Sequence, residues 1–168
     1  MASTLYTDDT MKIFRFESKL YLPVPIDTVF PFFAEARNLE LLTPPFLQFN
    51  LVTPAPIVIA RGTRIRYRLK LRGIAITWES EITSWDPPHR FVDEQLHGPY
   101  RLWRHQHTFV ERNGGTEVSD HVDYAVWGGS LVNFLLVAPD VKKIFEYRTS
   151  KLDELLVQKH AGSQPLTR

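Results

Sequence analysis

The sequence predicts an α+β domain in which a curved antiparallel sheet of about seven strands wraps around one long C-terminal helix. Three observations carry this prediction. From Thr63 to Trp127 apolar and polar residues alternate with a period of two, the signature of antiparallel strands with one dry and one wet face. From Leu131 to Leu156 apolar residues recur every three or four positions, which marks a long amphipathic helix. Ahead of both lies a segment with one strand and two short helical patterns.

Composition agrees with a single ordered domain. The 168 residues are 43% hydrophobic and 23% charged, enough apolar surface for one core. A net charge of +1 supplies no global field for nucleic acid or anionic membrane. Cysteine is absent, which excludes disulfides, thiolate catalysis and zinc–thiolate sites together. The polar N-terminus lacks the basic start and apolar stretch of a signal peptide, and no apolar run is long enough to span a bilayer. The expectation is therefore a soluble, cytoplasmic protein: a flexible tail over 1–11, a single domain over 12–158 and a frayed tail over 159–168. Met11 is a possible alternative start.

Lys12 to Leu22 alternates Ile13, Lys19 and Tyr21 against Phe14, Phe16 and Leu22 and predicts the first strand, which Pro23 and Pro25 end. Ile26 to Glu35 spaces Val29, Phe30 and Phe33 as a helix behind Asp27-Thr28, and Ala36 to Leu42 adds a second short helix. Phe46 to Val52 predicts a short strand, followed by a proline-containing loop to Gly62. The cleanest alternation is Arg64 to Arg72, with cations on one face and apolar groups on the other. Ile74 to Trp85, Arg90 to Leu96, Tyr100 to Arg112 and Thr116 to Trp127 complete the sheet. In the last helix the inward stripe is expected to include Leu131, Phe134, Leu135, Val141, Phe145, Arg148, Leu152 and Leu156, with Pro139 kinking or restarting it.

Turn chemistry fixes the register. With Arg72-Gly73 as a two-residue turn, Tyr67 faces Trp78, Leu69 faces Ile76, Arg66 faces Glu79 and Arg64 faces Glu81, so apolar pairs share one side and ion pairs the other. A shift of one residue would mix them. With Asn113-Gly114 central to a second turn, Phe109 faces Val118, His107 faces Asp120, His105 faces Val122 and Trp103 faces Tyr124. The concave side thus collects rings and imidazoles together.

Strand, two short helices, six strands and a long last helix resemble the START-like, or SRPBCC, helix-grip superfamily that includes polyketide cyclase/dehydrases and plant pollen allergens. The likeness extends over Lys12 to Leu156. Its carriers are Val24-Pro25-Ile26-Asp27-Thr28-Val29-Phe30, the turn from Ile82 through Trp85-Asp86-Pro87-Pro88 to Phe91, and Gly98-Pro99-Tyr100-Arg101-Leu102-Trp103. The chain is most similar to the bacterial ligand-binding SRPBCC proteins of unassigned function, which also carry a pair like Tyr147-Arg148 in the last helix. The resemblance implies a cavity between sheet and helix and supplies no catalytic motif, because this fold hosts carriers, sensors and enzymes alike.

The candidate chemistry follows from the inward faces. Tyr67, Trp78, Trp103 and Tyr124 offer flat rings to an apolar ligand or pack as core. Asp93 and Gln95 share a face with Phe91; a buried Asp93 needs a partner, and Arg148 on the helix stripe is the natural one unless it reaches out to solvent. His105 and His107 with Asp120 opposite form an acid/base pair, a metal site or polar lining, and no metal or cofactor is expected. The Arg64, Arg66, Arg68, Lys70, Arg72 row, partly neutralised by Glu79 and Glu81, predicts a solvated surface rather than nucleic-acid binding. Phosphate-loop, Gly-x-Ser-x-Gly and His-Glu-x-x-His patterns are missing.

The expected function is non-catalytic binding of a small, partly apolar molecule, as a carrier or sensor, with Tyr67, Trp78, Asp93, Gln95, Trp103, His105, His107, Asp120, Tyr124 and Arg148 as ligand contacts. Two alternatives stand beside it. One is a cyclase or dehydratase with His107 as general base oriented by Asp120; the other is a partner-regulating module with a vestigial cavity. Oligomeric state is left open, and stable membrane insertion is not expected.

Overall fold

A computed structural model describes residues 11–158; the two expected tails fall outside this range except at Met11. Seven antiparallel strands form one sheet in the order β1-β7-β6-β5-β4-β3-β2. They are β1 (Phe14–Leu22), β2 (Asn50–Leu51), β3 (Arg64–Leu71), β4 (Ile74–Asp86), β5 (Arg90–His97), β6 (Leu102–Arg112) and β7 (Gly115–Ala125). Helices α1 (Ile26–Ala34) and α2 (Asn38–Leu42) connect β1 to β2.

Both hairpins adopt the register that their turns dictate. Tyr67 pairs with Trp78 and Arg66 with Glu79 across β3 and β4, while His107 pairs with Asp120 and Trp103 with Tyr124 across β6 and β7. The turns are left-handed at both central residues, with φ of 50° and 83° at Arg72-Gly73 and 49° and 78° at Asn113-Gly114. This geometry matches the twist of the flanking strands and is where glycine has no steric cost. Arg72, which does carry a Cβ, is tied down: its guanidinium donates to both Asp140 oxygens at 2.9 and 3.1 Å and to the Leu136 carbonyl at 3.2 Å. The β3–β4 tip is thereby fastened to the last helix.

Two irregularities between β4 and β5 bend the sheet. The second adds Thr83 without a partner, so the inward phase of Trp78, Ser80 and Ile82 passes to Trp85 rather than Ser84. Trp85 consequently meets Phe30 and Phe91, at ring separations of 5.3 and 5.7 Å.

Two sequence expectations are corrected. Phe46 to Val52 is not one strand: Pro45–Leu47 forms a 3-10 turn, Gln48 turns the chain with φ of 45°, and only Asn50–Leu51 pairs with β3. Pro44 and Pro45 lack amide hydrogens for a ladder, and Pro45 suits the first position of a helical turn. The start of the last helix also faces the other way. Gly129–Val132 is α-helical, Asn133–Val137 is a π-helical segment, Ala138–Leu152 is α-helical and Asp153–Gln158 is again π-helical. The wider π turn brings Asn133 inward and leaves Leu131, Phe134 and Leu135 at 68%, 75% and 56% exposure, while Val141 is buried as expected. Pro139 sits where the α-helix resumes, so it restarts the helix.

The core has two parts. Leu152 and Leu156 join Leu22, Val24, Val29, Phe30, Phe91 and Phe109 in one, and Val141 and Phe145 join Val122, Tyr124 and Val126 in the other. Arg148 lies between them along the helix. Among the described residues no helix is long and apolar enough to cross a membrane.

Candidate functional site: a cavity with an aromatic wall and a buried charged end

A cavity of about 190 Å³ lies between the sheet and the helices. This is room for on the order of ten water molecules, smaller than the ~300 Å³ where drug-sized sites begin. Strands β3 to β6 make its floor through Tyr67, Leu69, Trp78, Phe91, Asp93, Trp103, His105 and His107. Its roof is Phe33 and Leu42 from the helical connection and Val141, Phe145 and Arg148 from the last helix.

One half is a wall of rings. Tyr67 stacks on Trp78 at 5.8 Å, and Trp103 meets Trp78 edge-on at 5.5 Å. Their polar atoms are answered locally: Trp78 Nε1 donates to Ser80 Oγ at 3.0 Å, and Ser80 Oγ lies 3.3 Å from the Tyr67 hydroxyl. Burial raises the Tyr67 phenol far above its usual range.

The other half is charged. On β6, His105 and His107 occupy alternate positions and stand side by side, 3.7 Å between ring centres. Asp120, opposite His107 on β7, places Oδ1 2.8 Å from His105 Nε2 and 3.2 Å from His107 Nδ1. Asp93, opposite His105 on β5, places Oδ2 2.9 Å from His107 Nε2 and 3.8 Å from His105 Nδ1. Arg148 reaches in from the helix, with Nη2 3.7 Å from Asp120 Oδ1 and 3.4 Å from His107 Nδ1. Phe91 stacks on His107 at 4.1 Å, and the Arg148 guanidinium lies over Phe33 at 5.1 Å.

Mutual compensation sets the charges. Burial alone would raise both carboxyls, but Arg148 and the histidine hydrogen bonds hold Asp120 well below the usual range. At Asp93 burial is likewise outweighed, by the hydrogen bond to His107 and the nearby positive charges. For His107, burial opposes the charged ring, yet hydrogen bonds to Asp120 and Asp93 raise its pKa. At His105, burial and the neighbouring His107 lower it. The two carboxylates, both held low, are thus compensated by Arg148 and by His107, the imidazole whose pKa is raised, while that of His105 is lowered.

Seven of the ten expected contacts therefore line one cavity: Tyr67, Trp78, Asp93, Trp103, His105, His107 and Arg148. Gln95, Asp120 and Tyr124 are not in its wall. Gln95 instead closes the β5–β6 turn, donating to the Tyr100 carbonyl at 2.8 Å and accepting from the Tyr100 amide at 3.3 Å. Asp120 stands behind the two imidazoles, and Tyr124 packs into the second core cluster. The expected Asp93–Arg148 pair is also corrected: Asp93 bonds His107, and the carboxylate nearest Arg148 is Asp120. Arg148 does turn inward, at 9% exposure, and its Nε is buried without a hydrogen-bond partner among the described residues. Sequence reasoning missed Phe33, Ser80 and Tyr100 as cavity residues. Inward parity next to Trp78 was the available signal for Ser80; Tyr100, beside a Gly-Pro turn, gave none.

A curved sheet closed over a long helix, with a cavity lined from both, defines a helix-grip chamber. Solved structures share the fold. A Mycobacterium smegmatis protein is 20% identical with a TM-score of 0.66, over 87% of this chain and 92% of that one. The major latex-like protein of Panax ginseng is 11% identical with a TM-score of 0.64, over 84% and 96%. A larger Corynebacterium glutamicum protein described as a nucleoside-diphosphate sugar epimerase is 26% identical with a TM-score of 0.60, over 83% of this chain but 28% of that one. No family profile and no curated protein matches the sequence. The chain thus has the helix-grip fold that these structures share.

Proposed function

We propose that this chain binds a small, partly apolar molecule in its cavity, as a carrier or sensor, with the apolar part against Tyr67, Trp78 and Trp103 and a polar group toward Arg148, His107 and Asp93. One observation carries the reading: a wall of rings converges on a buried charged end where, among the described residues, Arg148 Nε lacks a partner. Burying apolar ligand surface supplies affinity, at ~25 cal/mol per Å², and the charged end supplies orientation. The cyclase or dehydratase alternative has weaker support. Both ring nitrogens of His107 are already engaged, Nε2 by Asp93 and Nδ1 by Asp120 and Arg148, so neither is free to take a proton from a substrate as a general base must.

Native mass spectrometry of protein taken directly from cells tests the proposal, together with binding of anilinonaphthalene sulfonate as a probe. The expected result is one small molecule or one probe per chain, lost in Leu69→Trp, which fills the cavity. Absence of both, or probe binding unchanged by Leu69→Trp, overturns it.

A further inference from the structure

Three side chains at the charged end are of ligand type and share one open side. We propose that Asp93, His105 and His107 form a site for a divalent first-row transition-metal ion, open to the cavity, with Asp120 positioning both imidazoles. This inference stands independently of any organic ligand.

The geometry is close to what an ion requires. One ligating atom from each of the three lies within 4.8 Å of the others. Nitrogen and oxygen ligands bound at 2.0–2.2 Å stand about 3 to 3.5 Å apart around an ion. The Asp93 Oδ2 to His107 Nε2 separation is 2.9 Å and Asp93 Oδ2 to His105 Nδ1 is 3.8 Å, so only small side-chain rotations separate the present arrangement from coordination. An ion would replace the proton now shared between Asp93 and His107.

The outer contacts are those that metal-binding histidines need. Such a ring normally donates its second nitrogen to a carboxylate or carbonyl, which fixes the tautomer and aims the lone pair. Here a single oxygen, Asp120 Oδ1, serves His105 Nε2 and His107 Nδ1 together, leaving His105 Nδ1 and His107 Nε2 on the Asp93 side. Asp120 is itself anchored, by Arg148 and by Ser18 Oγ, which donates to Oδ2 at 3.3 Å. Arg148 makes its close contacts with His107 Nδ1 and Asp120 and acts on Asp93 only at longer range, so no guanidinium occupies the Asp93 oxygens that a cation would use.

Asp93, His105 and His107 line the cavity whereas Asp120 does not, so remaining coordination positions point into the chamber. Two imidazoles and one carboxylate suit iron(II), cobalt(II) or zinc(II) rather than calcium or magnesium, which prefer all-oxygen sets.

The test is titration of the full-length, tag-free chain with cobalt(II), followed by visible absorbance and calorimetry. One ion per chain is expected, with ligand-field bands and a raised melting temperature. Asp93→Asn, His105→Ala and His107→Ala should each weaken binding at least ~100-fold, and Asp120→Asn by ~10- to 100-fold. His121→Ala should change nothing: His121 lies on the outer surface near Glu17 and Asp123 and is the obvious competing site. Asp93→Asn keeps the size of the side chain and a hydrogen-bonding partner for His107, so it reports on coordination even where a histidine variant fails to fold. Affinity weaker than ~1 mM, or binding that survives Asp93→Asn and disappears in His121→Ala, overturns the site. Cavity-probe binding with no cobalt binding would refute this inference and leave the preceding proposal standing.

Discussion

Arg148→Met is the most informative single change. Its Nη2 stands 3.7 Å from Asp120 Oδ1, and the two side chains are only 11% and 7% exposed, so solvent screens the pair little. At an effective dielectric of about 20 that separation corresponds to roughly 4 kcal/mol of attraction. Methionine fills much of the volume but leaves the two buried carboxylates without the guanidinium, and breaking a buried pair in this way costs ~3 to 5 kcal/mol. We expect a loss of about 3 kcal/mol in urea unfolding at pH 7, seen as a ~6 to 12 °C drop in melting temperature for a chain of this size. Asp120→Asn should cost a similar amount. The combined variant removes both charges and should fall short of the summed losses by about 2 kcal/mol. If the two losses add within ~0.5 kcal/mol, Arg148 and Asp120 are not coupled and the charge balance derived for the cluster is wrong.

Other outcomes follow from the same structure. In a pH titration by histidine NMR, His107 should titrate above ~6.5 and His105 below it; the reverse order, or two ordinary values, would contradict the network. Asp93 and Asp120 have lowered pKa values in the fold, so their contribution is complete above the unfolded value of ~3.9 and is lost as pH falls through the folded values; urea midpoints should drop in that acid range. Phe134→Lys, on the exposed face, should change stability by less than ~0.5 kcal/mol in chemical unfolding, whereas Val141→Lys should prevent folding as judged by circular dichroism. Arg72→Ala removes a half-exposed pair with Asp140 and should cost no more than ~1 kcal/mol, yet speed amide exchange at the β3–β4 tip.

What the sequence makes legible is what short-range chemistry decides. Arg72-Gly73 and Asn113-Gly114 set two registers, and those registers bring Tyr67 beside Trp78 and His107 beside Asp120 by counting alone. Side-chain partners across three elements are another matter. Pairing Asp93 with Arg148 is the economical choice when only charges are known. Asp93 instead reaches diagonally across β5 and β6 to His107, two positions along from its register partner His105, and Arg148 approaches Asp120. Gln95 has the parity of a cavity residue, but a turn amide and carbonyl five residues on claim it first. The start of the last helix misleads because counting by three and four assumes α geometry, and the π segment at Asn133–Val137 shifts the phase of everything before it.

The hydroxyl of Ser80 has a consequence for any guest of this chamber. Because it occupies the indole of Trp78 and meets the phenol of Tyr67, the aromatic end offers a visitor mainly the flat faces of these two rings. Such a room reads its occupant from one side only. On the binding proposal, a compound with a single polar head would lodge in one orientation, and one polar at both ends would lose water from its far end with nothing from Trp78 or Tyr67 in return.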